Sequence, residues 1–155
     1  MRMDRIDRKI LSALVEHGRA TQQEVGDAAG LSPSAAYRRQ KALEDAGIIR
    51  AYRADVNLRK LGLGATVMVT ITLDSQSEEA MEAFERAVTT SPSIIRCHLM
   101  SGRNDYLLVV RAASIEDYEV IHRQEIARLP RVARIETAFA LREVVNRTVP
   151  PRMLA

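Results

Sequence analysis

The sequence predicts an α+β protein in two unlike parts, three short helices up to about residue 50 and then an antiparallel sheet with two helices. Three observations carry that prediction. Apolar residues recur at helical spacing up to Ile49 and at a spacing of two from Ala65 onward. Glycine and proline fall where helices must stop or start. Positive charge is in excess in the first part only: 12 Lys and Arg stand against 8 Asp and Glu up to residue 62, and 11 against 12 beyond it.

In the first helix Ile6, Ile10, Leu11 and Leu14 share one face, and Gly18 ends it. The second opens with "TQQE", where Thr21 caps the helix while Glu24 reaches back; Val25, Ala28 and Ala29 point to a core before Gly30. The third is capped by Ser32, with Pro33 in its first turn, and stops at Gly47. Its Ala36, Leu43 and Gly47 turn inward. Three short helices with a glycine-containing turn before the last match a helix-turn-helix.

Residues 51–64 read as a connector with a short strand and two glycines, Gly62 and Gly64. In "ATVMVTITL", Val67, Val69, Ile71 and Leu73 face one way and Thr66, Met68, Thr70 and Thr72 the other, a half-buried strand. A helix follows with Met81, Phe84 and Val88 inward, then two strands around a tight turn, a helix opened by Ser114, and a last strand in "RVARIETAFALREVV". The order β-α-β-β-α-β is the split, ferredoxin-like pattern. The predicted division is therefore 1–50, a three-helix (winged) helix-turn-helix; 51–64, the connector; and 65–155, the ferredoxin-like domain. The tail "REVVNRTVPPRMLA" could extend a sheet edge or swap across a dimer.

The composition, 46% hydrophobic and 28% charged, supports a packed core. No apolar run approaches the ~20 residues of a membrane span, and "MRMDRIDRKI" lacks a signal's apolar stretch. With a single cysteine, Cys97, a reducing compartment is expected, and the reading is cytoplasmic. Net charge is +3, concentrated in the first part, which points to a polyanion partner for that part.

The third helix is where that partner would dock. Its outward face gathers Ser34, Arg38, Lys41 and Asp45, with Tyr37 at the edge and Arg39 at the boundary. In a helix-turn-helix this helix enters the major groove of double-stranded DNA. Arg38 and Lys41 suit base edges, while Ser32, Ser34, Tyr37 and Arg39 suit bases or phosphates. Thr21 and Gln22, at the start of the second helix, and Arg50 and Arg53, after the third, would hold the DNA backbone. Gln40 lies on the inward face where an aliphatic side chain is expected, so packing there should be looser or partly wet.

These residues also resemble a known family. The run "DRIDRKILSALVEHGRATQQEVGDAAGLSPSAAYRRQKALEDAGIIRAYRADVNLRKLGLG", followed by a βαββαβ domain with "SGRNDYLLVV", is similar to the leucine-responsive and asparagine regulators, the Lrp/AsnC family. The resemblance covers nearly the whole chain and departs from the family at Gln40. It implies a transcription regulator with an N-terminal DNA-binding domain. Its C-terminal domain would dimerise, assemble further, often to octamers, and bind a small effector at a subunit interface, usually an amino acid. Taken alone, "MSGRNDYLL" is only a hairpin turn. By resemblance it is the effector loop, with Gly102, Asp105 and Tyr106 carried over, Met100 and Ser101 leading in, and Thr137 and Ala138 lining the neighbouring surface. Arg103 stands at the tip in place of an acidic residue; it would favour a more anionic effector or point at solvent.

Catalysis finds little support. His17, His98 and His122 lie on different elements, and Cys97 and His98 face opposite sides of a strand. There is no phosphate loop, zinc spacing or nucleophile elbow. The expectation is a regulator with no cofactor beyond its effector. The rivals are a nucleoid-type architectural protein without effector, and a metabolite-binding protein or enzyme with a decayed DNA module.

Overall fold

The structure, a computed structural model, describes residues 2–154. The chain gathers into two compact units: one comprises the chain up to Val56 together with the segment from Val145 onward, and the other is Asn57–Val144. The division read from the sequence instead grouped the tail with the sheet. Leu154 shares a groove with Ser12, Ala13, Ala20 and Ala28 of the helical unit. An apolar side chain near the chain's end can be placed only by a surface willing to take it, and hydrophobic periodicity does not reveal which surface that is.

The helical unit contains α1 (Arg5–Glu16), α2 (Gln22–Ala29) and α3 (Pro33–Asp45). Its core is Ile10, Leu14, Val25, Ala29, Ala36 and Leu43, with Ile6, Leu11, Leu31 and Ile49 packed around it. Thr21 and Glu24 form the expected capping box, and Ser32 caps α3. A second box was not foreseen: Asp4 and Asp7 cap α1 reciprocally, each side-chain carboxylate accepting the other's backbone N–H at 2.9 and 3.0 Å. Ala28 is exposed rather than in the core. Gly47 is exposed too, its contribution being a backbone φ of 69° just past α3. Gly26 is needed for another reason, because a Cβ there would meet the Leu31 carbonyl oxygen at 2.7 Å. Only glycine lets the turn before α3 fold back onto α2.

The second unit is a four-stranded antiparallel sheet, β1 (Ala65–Leu73), β2 (Ile94–Leu99), β3 (Tyr106–Ala112) and β4 (Val132–Ala140), in the order β2-β3-β1-β4. Helices α4 (Glu78–Thr89) and α5 (Ile115–Gln124) complete the expected βαββαβ. Val67, Val69 and Ile71 of β1 lie opposite Val110, Leu108 and Tyr106 of β3, all buried with Phe84 in one core. The other sheet face is open: Met68 is 37% exposed, beside Thr66, Thr70 and Ala138. Two expectations fail. The last strand stops at Ala140, and no strand forms in residues 51–64 among the described residues. An extended segment without a partner has nothing to hydrogen-bond, so β-propensity alone does not make it a strand.

Candidate nucleic-acid interface and effector turn

The outward side of α3 separates its basic residues by what holds them. Arg38 and Tyr37 are exposed, Tyr37 by 56%, and Arg38 has no hydrogen bond or ion pair among the described residues. Lys41 is also exposed but lies 3.0 Å from Asp45 and 3.8 Å from Glu44, and hydrogen bonding to Asp45 raises its pKa. Such an exposed pair is weak and can exchange for a phosphate. Ser34 lies 3.2 Å from Ser32, whose hydroxyl accepts the Ala35 N–H.

Arg39 is different. Its Nη1 donates to Asp4 Oδ2 at 2.7 Å and to Asp7 Oδ1 at 2.8 Å. Asp7 is 3% exposed, the one buried charged residue among those described. The backbone N–H of Asp7, and after it Arg39, holds the Asp4 carboxyl below its usual pKa, while Asp4 and then Asp7 raise that of Arg39. The guanidinium therefore ties α3 to the start of α1 through Nη1, a role that the sequence reading did not include. Its donors answer a buried carboxylate whose desolvation would otherwise go uncompensated.

The start of α2 is also committed. Glu24 Oε2 accepts the Thr21 N–H at 2.7 Å and the Thr21 hydroxyl at 2.9 Å, which lowers the Glu24 pKa. A carboxylate thus already occupies the N-terminus where a phosphate was expected. Gln22 donates its Nε2 to Gln40 Oε1 at 2.8 Å, and its own Oε1 is buried. Both side chains thus have hydrogen-bond partners within the chain. Arg50 and Arg53 are exposed beyond α3, without ion-pair partners among the described residues.

Gln40 is half-buried and hydrogen-bonded on several sides. Besides Gln22 it meets Tyr52, its Nε2 donating to the phenolic oxygen at 2.7 Å and to Glu44 Oε1 at 3.4 Å. The Tyr52 hydroxyl donates to Glu44 Oε1 at 2.9 Å.

In the second unit the turn between β2 and β3 runs from Met100 to Asp105. Gly102 takes φ 113°, which side chains resist. Met100, Ser101, Gly102 and Arg103 are exposed, and the last three have no hydrogen-bonding partner among the described residues. Asp105 is engaged: its Oδ2 accepts the Leu73 N–H at 2.7 Å and its Oδ1 the Gln76 amide at 3.2 Å. Its role within the chain is to fasten the turn to the end of β1. Tyr106 is 1% exposed, lies 4.5 Å from Phe84 ring to ring, and donates to Glu85 at 2.8 Å, so it is a core residue. Thr137 and Ala138 are two strands away across β1 and lie on opposite faces of the sheet. Thr137 meets the Tyr118 hydroxyl at 2.7 Å, while Ala138 opposes Met68 on the open face. Within one chain, then, these residues do not form one pocket.

Cys97 packs opposite Leu108, and burial pushes its thiol up to about 11, the opposite of an activated nucleophile. Among the described residues no group of three His, Cys, Asp or Glu could hold a metal, and no helix is long and apolar enough to cross a membrane.

Comparison with known proteins supplies what the geometry leaves open. Residues 3–50 match the model of a winged helix-turn-helix DNA-binding domain, and residues 66–150 that of the Lrp/AsnC ligand binding domain. The Bkd operon transcriptional regulator of Pseudomonas aeruginosa is 33% identical over 96% of this chain and 97% of its own. The leucine-responsive regulatory protein of Escherichia coli is 37% identical over 92% of this chain and 87% of its own. Among solved structures, a transcriptional regulator from Neisseria meningitidis in complex with L-Met superposes with a TM-score of 0.92. It has 30% identity and covers 99% of this chain and 100% of its own.

Proposed function

The chain belongs to the Lrp/AsnC family of transcription regulators, and on that premise we propose that it reads an operator through α3 and is modulated by an amino-acid-like effector at the Met100–Asp105 turn. Membership makes it a DNA-binding regulator rather than an enzyme. The observation that carries the DNA side is Arg38, an unpaired guanidinium beside exposed Tyr37 on a helix that Arg39 fastens from behind. Arg38 contacts base edges, Lys41 joins it by leaving Asp45, and Tyr37 and Ser34 reach a base or phosphate. Arg50 and Arg53 hold the DNA backbone.

On the effector side, the unpaired N–H groups of Ser101, Gly102 and Arg103 suit a carboxylate. Thr137 and Ala138 line the site only from a second copy, so the site belongs to an interface between subunits. The protein works as a homodimer or a multiple of dimers in the cytoplasm, with two recognition helices on a two-fold operator.

A thermal-shift screen of the purified protein against the proteinogenic amino acids tests this. A ligand at a hundred times its Kd adds about 2.7 kcal/mol. A selective hit lost on Gly102→Val is the expected result. A flat screen beside intact DNA binding would favour the architectural reading without effector.

A further inference from the structure

Gln40 is the one residue on the inner side of α3 that three-helix packing does not explain, and its partners form a chain with a direction. Glu44, a carboxylate, accepts; the Tyr52 hydroxyl must therefore donate to it, over 2.9 Å. The phenolic oxygen is left to accept, and it does so from Gln40 Nε2 at 2.7 Å. That orients the Gln40 amide, so Oε1 faces α2 and accepts from Gln22 at 2.8 Å. One carboxylate thus sets the orientation of two amides. The first residue of α2, the middle of α3 and the segment leaving α3 are joined in a single polar chain.

We propose that the Gln40–Tyr52 hydrogen bond positions the recognition helix, setting the roll of α3 against α2 and fastening to α3 the segment on which the chain leaves the helical unit. The inference rests on the reading of α3 as the recognition helix. An aliphatic residue at position 40 would pack against α2 at several rolls, because dispersion contacts have no direction. A hydrogen bond has one. Direction matters here because a recognition surface must be held to roughly 0.5 Å and 10–20°. Among the described residues the buried Gln22 Oε1 finds no hydrogen-bond partner, and a cluster built for stability alone would use two aliphatic residues here. Tyr52 is 48% exposed, so its hydroxyl can be removed without opening the core.

The test uses the full-length protein and a duplex selected by the wild type from a random-sequence library, with a scrambled duplex as control. Tyr52→Phe and Gln40→Leu are each expected to weaken the selected duplex about tenfold relative to the scrambled one, the order of one hydrogen bond to a charged network. Their double variant should be no worse than Gln40→Leu alone, because that change already removes the bond lost in Tyr52→Phe, together with the one to Gln22. A selected-to-scrambled ratio unchanged in both variants, even with a lowered melting temperature, would show a structural role only and overturn the inference. Additive losses in the double variant would overturn it as well. If the wild type enriches no sequence at all, the reading of α3 itself fails; if it enriches one and both variants bind it equally well, only the positioning role fails.

Discussion

The two units fix their functional surfaces by different means. In the sheet unit the turn rests on a broad core: Val67, Val69, Ile71, Phe84, Tyr106, Leu108 and Val110 are all at 0–1% exposure. A single carboxylate, Asp105, then pins the turn to β1. The helical unit has a smaller core of six buried apolar side chains, two of them alanines. Its third helix, α3, is held by charge and hydrogen bonds as much as by packing, through Arg39 on one side and Gln40 on the other. Where apolar burial is scarce, polar contacts decide orientation, and they do so at positions where a base-contacting residue would be sought.

The contrast can be broken most forcefully in the cores. Leu43→Ala and Leu108→Ala each delete a fully buried side chain, at about 2–5 kcal/mol. In the smaller core that loss should melt the helices while the sheet persists. Hydrogen exchange should show α1–α3 unprotected in Leu43→Ala but still protected in Leu108→Ala.

Arg39→Ala comes next. It leaves the buried Asp7 carboxylate without its cation, so the melting temperature of the helical unit should fall by several degrees and DNA binding of every sequence should weaken together. Adding Asp7→Asn should restore part of the loss; a double variant no more stable than Arg39→Ala would show that the pair does not act as a pair.

Arg38→Ala should leave stability unchanged and relax discrimination between operator and random DNA by about 1–3 kcal/mol. Arg53→Ala should weaken both alike and lower the salt slope by about one. Equal losses on both duplexes for Arg38→Ala would remove it from the base edge.

The smallest effect concerns acid. The folded-state pKa of Asp4 lies below its usual value, chiefly through the Asp7 N–H and then Arg39. Its contribution to stability is therefore complete above the ordinary carboxylate pKa and disappears as pH falls through the depressed one. The melting temperature of wild type and Asp4→Asn should differ at neutral pH and converge in acid; curves that stay parallel would assign the contribution elsewhere.

Much of this was legible in the sequence. The period change after Ile49 marked helices from strands, and Thr21, Ser32, Pro33 and Ser114 marked helix starts that the structure reproduces. The alternation in β1 assigned both sheet faces correctly. What escaped was anything set by partners distant in sequence. Arg39 sits at the boundary of the α3 wheel, and only the packing of α1 decides that it turns toward Asp4 and Asp7, 35 and 32 residues away. Asp7 had a signal of its own: Asp4-x-x-Asp7 before an apolar run is a capping pattern. Gln40 showed as a polar residue on an apolar face, but its meaning needed Tyr52, from a segment that periodicity left blank. At the turn, the residue types named Asp105 without disclosing that its oxygens serve Leu73 and Gln76.

The course of the chain has a practical consequence. It enters the sheet unit after Val56 and returns to the helical unit at Val145, so the DNA-binding part is assembled from both ends of the described polypeptide. A hybrid regulator made by exchanging residues at a single junction near position 56 would inherit helices from one parent and the groove-lining Leu154 from the other. Faithful transplantation therefore takes two cuts, and a fusion partner attached after Leu154 would be felt first by α1 and α2, the far end of the sequence from where it was added.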